Sequence, residues 1–192
     1  MTFVYYEQGG DNFLVERCDW AKDNSKLLIY HDKEWGVKET NNRKLFEKLS
    51  LEIMQAGLKW TLILDKRNEI IKAFDDFDIE KVSEYSINDI NRLMSDKNII
   101  RNQKKIEAII YNARICKSIN LKKFIWEPFN YSMLDHLLHT GDYKYIDSFI
   151  SKYVFQFKRK GFKRIGNKTL YSFYQAIGVI NDHELKCFYH NR

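Results

Sequence analysis

Apolar side chains recur at Leu45, Leu49, Ile53 and Ala56, the spacing of one buried helical stripe. The stripe predicts a helix that begins after Thr40 or Asn41, either of which can cap it, and stops at Gly57. Glu52 lies three residues after Leu49 and four before Ala56, so a carboxylate falls on the apolar face. Ile63, Leu64, Ile70, Ile71 and Phe74 predict a second helix over residues 60–74. Asp78 can cap a short helix through Val82. Ser86 and Asp89 resemble a capping box opening another, with Ile87, Ile90, Leu93 and Met94 inward. After a turn at residues 96–101, the row Ile106, Ile109, Ile110, Ala113 and Cys116 predicts a long helix with Cys116 as plain core. Pro128 marks a break. Residues 131–141 read as a short helix, and residues 146–157 and 168–177 as two more. No segment alternates with a period of two, so the expected fold is all-α. Residues 1–15 lack a period and read as a loosely attached lead-in to a single domain over residues 16–192, whose first stretch, 16–36, reads as irregular.

Charge adds a partner to this picture. Residues 1–100 carry 15 Lys/Arg and 19 Asp/Glu, whereas residues 101–192 carry 17 and 7. A C-terminal half at +10 against −4 suggests a polyanion such as nucleic acid. Cys18, Cys116 and Cys187 are too few and too scattered for a disulfide scaffold, which points to a reducing compartment. Glu7 and Asp11 interrupt any signal-peptide pattern, and no 18-residue apolar run exists, so a cytoplasmic chain without a membrane partner is expected.

Three constellations carry possible chemistry. A carboxylate aimed at a core must be paired, protonated or facing a cavity that wants negative charge. Trp20, Tyr30, Trp35 and Trp60 surround Glu52 in sequence; such density is ordinarily core, but the carboxylate suits a pocket for a planar cation. His183 and Cys187 are four apart, a spacing that one helical turn would bring onto one face. With Cys18 and His31 they would make a tetrahedral zinc site, His190 being a rival ligand and plain buried thiols the alternative. Residues 158–167, with glycines at 161 and 166 and a helix behind them, offer backbone N–H groups among cations, including Lys163 and Lys168. The helix start near Arg101, Lys104 and Lys105 offers a second such site, and two suit gripping a phosphate strand without reading bases.

At this point the chain resembles the DNA-3-methyladenine glycosylase I family, the bacterial constitutive type within the helix-hairpin-helix superfamily. The resemblance rests on Arg17-Cys18-Asp19-Trp20, on Tyr30-His31-Asp32-Lys33-Glu34-Trp35-Gly36-Val37 and on Leu51-Glu52 running to Gln55-Ala56-Gly57-Leu58-Lys59-Trp60. Further matches are Ile99-Ile100-Arg101, Lys105-Ile106-Glu107-Ala108-Ile109-Ile110-Tyr111-Asn112-Ala113, Gly161-Phe162-Lys163, Tyr171-Ser172-Phe173 and Asn181-Asp182-His183. It implies two helical lobes around a base pocket, with a structural zinc on Cys18, His31, His183 and Cys187 joining the N- and C-terminal regions. It also implies a base site of Glu52, Tyr30, Trp60 and Ser172 lined by Trp20 and Trp35, and a wedge at Gly57 and Leu58 that presses into double-stranded DNA. Glu52 is then the expected catalytic group, recognising the adenine edge and supporting the oxocarbenium-like sugar or its attacking water. No lysine is placed for a Schiff base, so no strand-cleaving step is expected, and a monomer suffices. Two departures from the superfamily stand out: the turn at 96–101 has no glycine, and no Asp follows it in the catalytic position. Residues 1–15 and 124–145 match nothing assignable. A zinc-stapled module that binds alkylated or distorted DNA without cutting is the alternative reading.

Overall fold

The stripe through Leu45, Leu49 and Ile53 forms α3 (Asn42–Gln55), with the Asn41 side chain accepting from the Lys44 amide as its cap. All three stripe residues are at most 1% exposed, and α3 touches α4 (Trp60–Ala73), α7 (Gln103–Lys117), α8 (Leu121–Trp126) and α10 (Asn167–Ala176). It is the axis on which the rest is assembled. The computed structural model describes residues 15–135 and 143–190. α5 (Ile79–Ser83) and α6 (Ile87–Ser95) pack on α7, α1 (Asp19–Lys22) on α2 (Ser25–Lys33), α2 in turn on α4, and α9 (Tyr143–Arg159) on α10. Among the described residues, no helix is long and apolar enough to cross a membrane.

Capping chemistry explains most boundaries. Asp78 accepts from the Lys81 amide, Asn102 from Lys105 and Asn120 from Lys123, and Ser86 with Asp89 closes the capping box. The turn between α6 and α7 holds no positive-φ residue, so it demands no glycine; Asp96 accepts from the Asn98 amide, and Lys66 Nζ donates to the carbonyls of Lys97 and Asn98.

Four expectations need correction. Residues 16–36 are not irregular: Asn24 accepts from the amides of Lys26 and Leu27 and starts the nine-residue α2. Ile87 is 62% exposed; of the four residues expected inward, α6 buries only Leu93 fully, and Ile90 and Met94 are half-buried. Residues 131–135 are not helical. Asn130 and Tyr131 have positive φ, and Leu134–Asp135 instead pair in parallel with Ile180–Asn181 as β1 and β2, a two-residue ladder. The remainder of that expected helix lies outside the described residues, as does the 1–14 part of the lead-in. Finally, the unmatched stretch after Phe124 contributes core: Trp126 is fully buried and its Nε1 donates to the Glu39 carbonyl.

Candidate active site and metal centre

Glu52 sits on the last turns of α3, where the helix faces a cavity of about 570 Å³ rather than another helix. Its wall is aromatic: Trp20 from α1, Tyr30 from α2, Trp35 just beyond α2, and Trp60 at the first position of α4. Tyr30 and Trp60 lie 5.2 Å apart by ring centroids, and Trp20 meets Trp35 edge-on at 5.0 Å. Ser172 from α10 completes the set read from sequence, so all six residues meet in one cavity. Glu52 is 5% exposed and its carboxylate makes no hydrogen bond or ion pair among the described residues. Burial pushes its carboxyl up to about 8, and the Lys48 ammonium opposes this only in part. Lys48 is occupied, donating to the carbonyls of Glu34 and Ala176. The Trp60 Nε1 is likewise buried without a partner among the described residues, a donor aimed at no protein acceptor. The carboxyl of Glu52 thus stands in an aromatic slot suited to a polar, flat guest.

The turn after α3 is exposed at its tip. Gly57 has φ +83 and nothing within 4 Å of where a side chain would start; the Leu58 amide donates to the Gln55 carbonyl, and Gln55 Nε2 donates back to the Leu58 carbonyl at 2.9 Å. Arg101, Lys104, Lys163 and Lys168 are exposed and form no ion pair among the described residues. Lys105 does not join them. It is 4% exposed, and its Nζ donates to the carbonyls of Met54 and Ala56, each at 2.7 Å. An ammonium held inside the protein by two carbonyls is not available to a DNA phosphate.

The four proposed ligands converge. One donor atom from each of Cys18, His31, His183 and Cys187 lies within 4.8 Å of the others, and all four residues are buried. Cys18 Sγ to His183 Nδ1 is 3.6 Å, Cys187 Sγ to His183 Nδ1 3.5 Å and Cys187 Sγ to His31 Nε2 3.4 Å. The edges of a tetrahedron with metal–S and metal–N arms of 2.0–2.3 Å are about 3.3–3.8 Å, so the cluster has the size of one ion. Hydrogen bonds from Cys18, His183 and His31 hold the Cys187 thiol well below the ordinary range, the ionised form a metal needs. His31 Nδ1 pairs with Asp32 at 2.8 Å, and Arg17 grips that carboxylate, which leaves Nε2 to face the cluster. His190 is turned away, its Nδ1 on the His183 carbonyl. The His183–Cys187 pair is closed by turns, not by a helix, with the Cys187 amide on the Glu184 carbonyl.

Gly36 has φ +76, and a Cβ there would stand 2.7 Å from His183 Nε2. Gly36→Ala should therefore push the imidazole off the cluster and lower whatever metal the purified protein carries there, read by metal analysis against the unaltered chain. Equal metal content with unchanged thermal stability would show that the ring does not depend on this gap.

The sequence model of the methyladenine glycosylase family matches residues 20–190. The chain belongs to the methyladenine glycosylase family. Among curated relatives, DNA-3-methyladenine glycosylase 1 of Escherichia coli is 37% identical over 90% of this chain and 96% of its own. The DNA-3-methyladenine glycosylase of Haemophilus influenzae is 35% identical over 91% and 97%. Among solved structures, the 3-methyladenine DNA glycosylase I of Staphylococcus aureus superimposes with a TM-score of 0.81 at 34% identity, covering 90% of this chain and 95% of that one.

In this methyladenine glycosylase the cavity contains residues that sequence reasoning passed over: Gln55, Tyr171, Gln175 and Asp182. Asp182 accepts from the Tyr171 hydroxyl and, at 2.6 Å, from Gln175 Nε2, so α10 and the strand end beyond it are locked together under the pocket. Helical spacing could have found two of them, since Gln55 lies three residues after Glu52 and Gln175 three after Ser172. Asn112 lies in a stretch matched in sequence but was given no role; it accepts from the Lys163 amide and donates to its carbonyl, which fixes the cationic segment against α7.

Proposed function

We propose that the chain is a monofunctional DNA-3-methyladenine glycosylase of base excision repair. It hydrolyses the N-glycosidic bond of 3-methyladenine in alkylated double-stranded DNA. The observation that carries this reading is the partnerless carboxyl of Glu52 at the end of an aromatic slot. Alkylation at N3 makes adenine a cation, which weakens its bond to the sugar and makes it a better leaving group. Stacking of the extruded base on Tyr30 and Trp60 is worth about 1–3 kcal/mol per base. A nearby cation draws Glu52 toward its ionised form, so the guest most strongly selected is the damaged, positively charged base.

A carboxylate that only steadied the cationic substrate would slow departure. When the glycosidic bond breaks, however, the positive charge passes to the sugar and the base leaves neutral. Glu52 is then proposed to stabilise the oxocarbenium-like sugar, or the water that attacks it, while still holding the adenine edge. No lysine lines the cavity among the described residues, and Lys48 is committed to two carbonyls, so no Schiff base and no strand cleavage follow. Gly57 and Leu58, at the exposed tip beyond α3, would press into the stack where the base leaves. Cys18, His31, His183 and Cys187 would hold a structural zinc, which when bound supplies a cross-link between chain ends and no reaction chemistry.

Incubating the protein with methylated duplex DNA and identifying the released bases tests the reading. Free 3-methyladenine without strand breaks is expected. DNA binding without release would instead favour a zinc-stapled binding module. Arg101, Lys104, Lys163 and Lys168 should act as phosphate contacts: changing any one to Ala should weaken binding about equally across DNA sequences and reduce the slope of log K against log salt by about one. An unchanged slope would remove that residue from the interface.

A further inference from the structure

Lys105 occupies an unusual position for a cation in a DNA-binding segment. Its neighbours Arg101 and Lys104 are exposed, whereas Lys105 is 4% exposed and enters the core from the first turn of α7. There its ammonium meets the C-terminal end of α3, donating to the carbonyls of Met54 and Ala56 at 2.7 Å. Helix geometry leaves the final carbonyls of α3 without partners from the helix itself, and they carry the negative end of its dipole. A cation there satisfies both demands at once. Burial and the nearby Arg164 charge draw the Lys105 pKa down, and the two carbonyls are the acceptors its ammonium has there.

The consequence reaches the exposed turn. Ala56 has φ −45 and ψ 114, and the next residue, Gly57, turns at φ +83. Fixing the Ala56 carbonyl therefore fixes the direction in which Gly57 and Leu58 project. Among the described residues nothing lies within 4 Å of where a side chain on Gly57 would start, so that face of the tip is open, and the turn is held by the short bonds between Gln55 and Leu58 and by Lys105. We infer that Lys105 is a positioning residue that braces the Gly57–Leu58 wedge against the hairpin between α6 and α7, so that the cations gripping the strand and the residue splitting its stack move as one body. This rests on the glycosylase reading above.

The test uses the zinc-loaded full chain with Lys105→Met and Lys105→Arg. Single-turnover release of 3-methyladenine is compared between a fully paired duplex and single-stranded DNA, where no stack has to be opened against a partner strand. Lys105→Met should lose about 10–100-fold on the duplex, the scale of a 1 Å misplacement, and far less on the single strand. Lys105→Arg, which keeps the charge and the donors, should restore most of the loss. Amide exchange in the DNA-free protein should rise at Leu58, whose N–H is bonded to the Gln55 carbonyl, and stay unchanged in the later turns of α7. Equal losses on both substrates, or a duplex loss with unaltered Leu58 exchange, would overturn the proposal. A shallower salt slope with unaltered exchange would return Lys105 to the phosphate contacts. If the unaltered protein releases no base at all, the glycosylase reading fails. The exchange comparison still decides whether Lys105 holds the turn.

Discussion

Glu52→Gln should abolish most excision and at the same time make the protein more stable near neutral pH. Loss of a charge placed where positive charge develops is expected to reduce single-turnover release by about 10²–10³-fold. The stability change has the opposite sign for a simple reason. Burial raises the Glu52 carboxyl from its ordinary 4.5 to about 8 in the folded protein. Below pH 4.5 both folded and unfolded chains hold the proton, and the neutral acid sits in the pocket without penalty. As pH rises above that, the unfolded chain releases its proton and the folded one does not, so stability falls until the pH passes about 8. At pH 7 the deficit is about 3 kcal/mol, which an uncharged glutamine does not incur. Melting curves of the two proteins should therefore converge below pH 4.5 and separate by several degrees at pH 7–8, the variant being the higher. The same ionisation should shape the reaction: kcat/KM of the unaltered enzyme should climb toward alkaline pH and level above about 8, while the residual rate of the variant stays flat. A Glu52→Gln protein that excises at the parental rate would remove the catalytic role. One that melts lower across the whole range would mean that the carboxylate is paired in solution. Such a trade of stability for a poised charge is what a functional carboxyl on an apolar helix face predicts.

That carboxyl was legible in the sequence because helix period and cap signals agree over α3. Leu45, Leu49 and Ile53 define the buried face, Asn41 and Gly57 its ends, and Glu52 then stands out as a misplaced charge. Helix α2 was illegible for the converse reason. Its apolar residues Leu27, Leu28 and Ile29 are consecutive, Ile29 remains 61% exposed, and only Tyr30 and His31 are buried, so no period announces a helix that supplies both a pocket wall and a member of the Cys/His cluster. The ligand set as a whole depends on contacts across 165 residues between Cys18 and His183, so spacing offered it only beside the rival His190 and plain buried thiols, and the resemblance chose among them. Lys105 failed differently. Residue type and neighbours grouped it with the phosphate-binding cations, but it lies four residues before Ile109 on the inner face of α7, a register that outweighed composition.

Removing the zinc proposed for the Cys18, His31, His183 and Cys187 cluster should unfasten the pocket from its outer side. Trp35 packs on the His183 ring at 4.6 Å, Trp20 on His31 at 5.4 Å, and Tyr30 precedes His31 in α2, so three walls of the cavity stand on metal ligands or beside them. The cross-link closes a loop of 165 residues between Cys18 and His183. By the loop-closure argument for a covalent link of such length, its loss costs about 5 kcal/mol. For a chain of this size that corresponds to a fall in Tm of about 10–20 °C. Chelation, or Cys18→Ser, should produce that fall together with loss of 3-methyladenine release, and zinc should restore both in the chelated protein. The native core around α3 and α7 should persist longer on heating than residues 16–36 and 180–190, since it holds its own apolar packing. Amide exchange of the metal-free protein would show this as early loss of protection in those terminal stretches only. Unchanged melting on chelation, with about one zinc per chain removed, would mean that packing alone holds the ends together. If the metal-free protein lost stability but kept full excision, the aromatic walls would not depend on the ligands they touch.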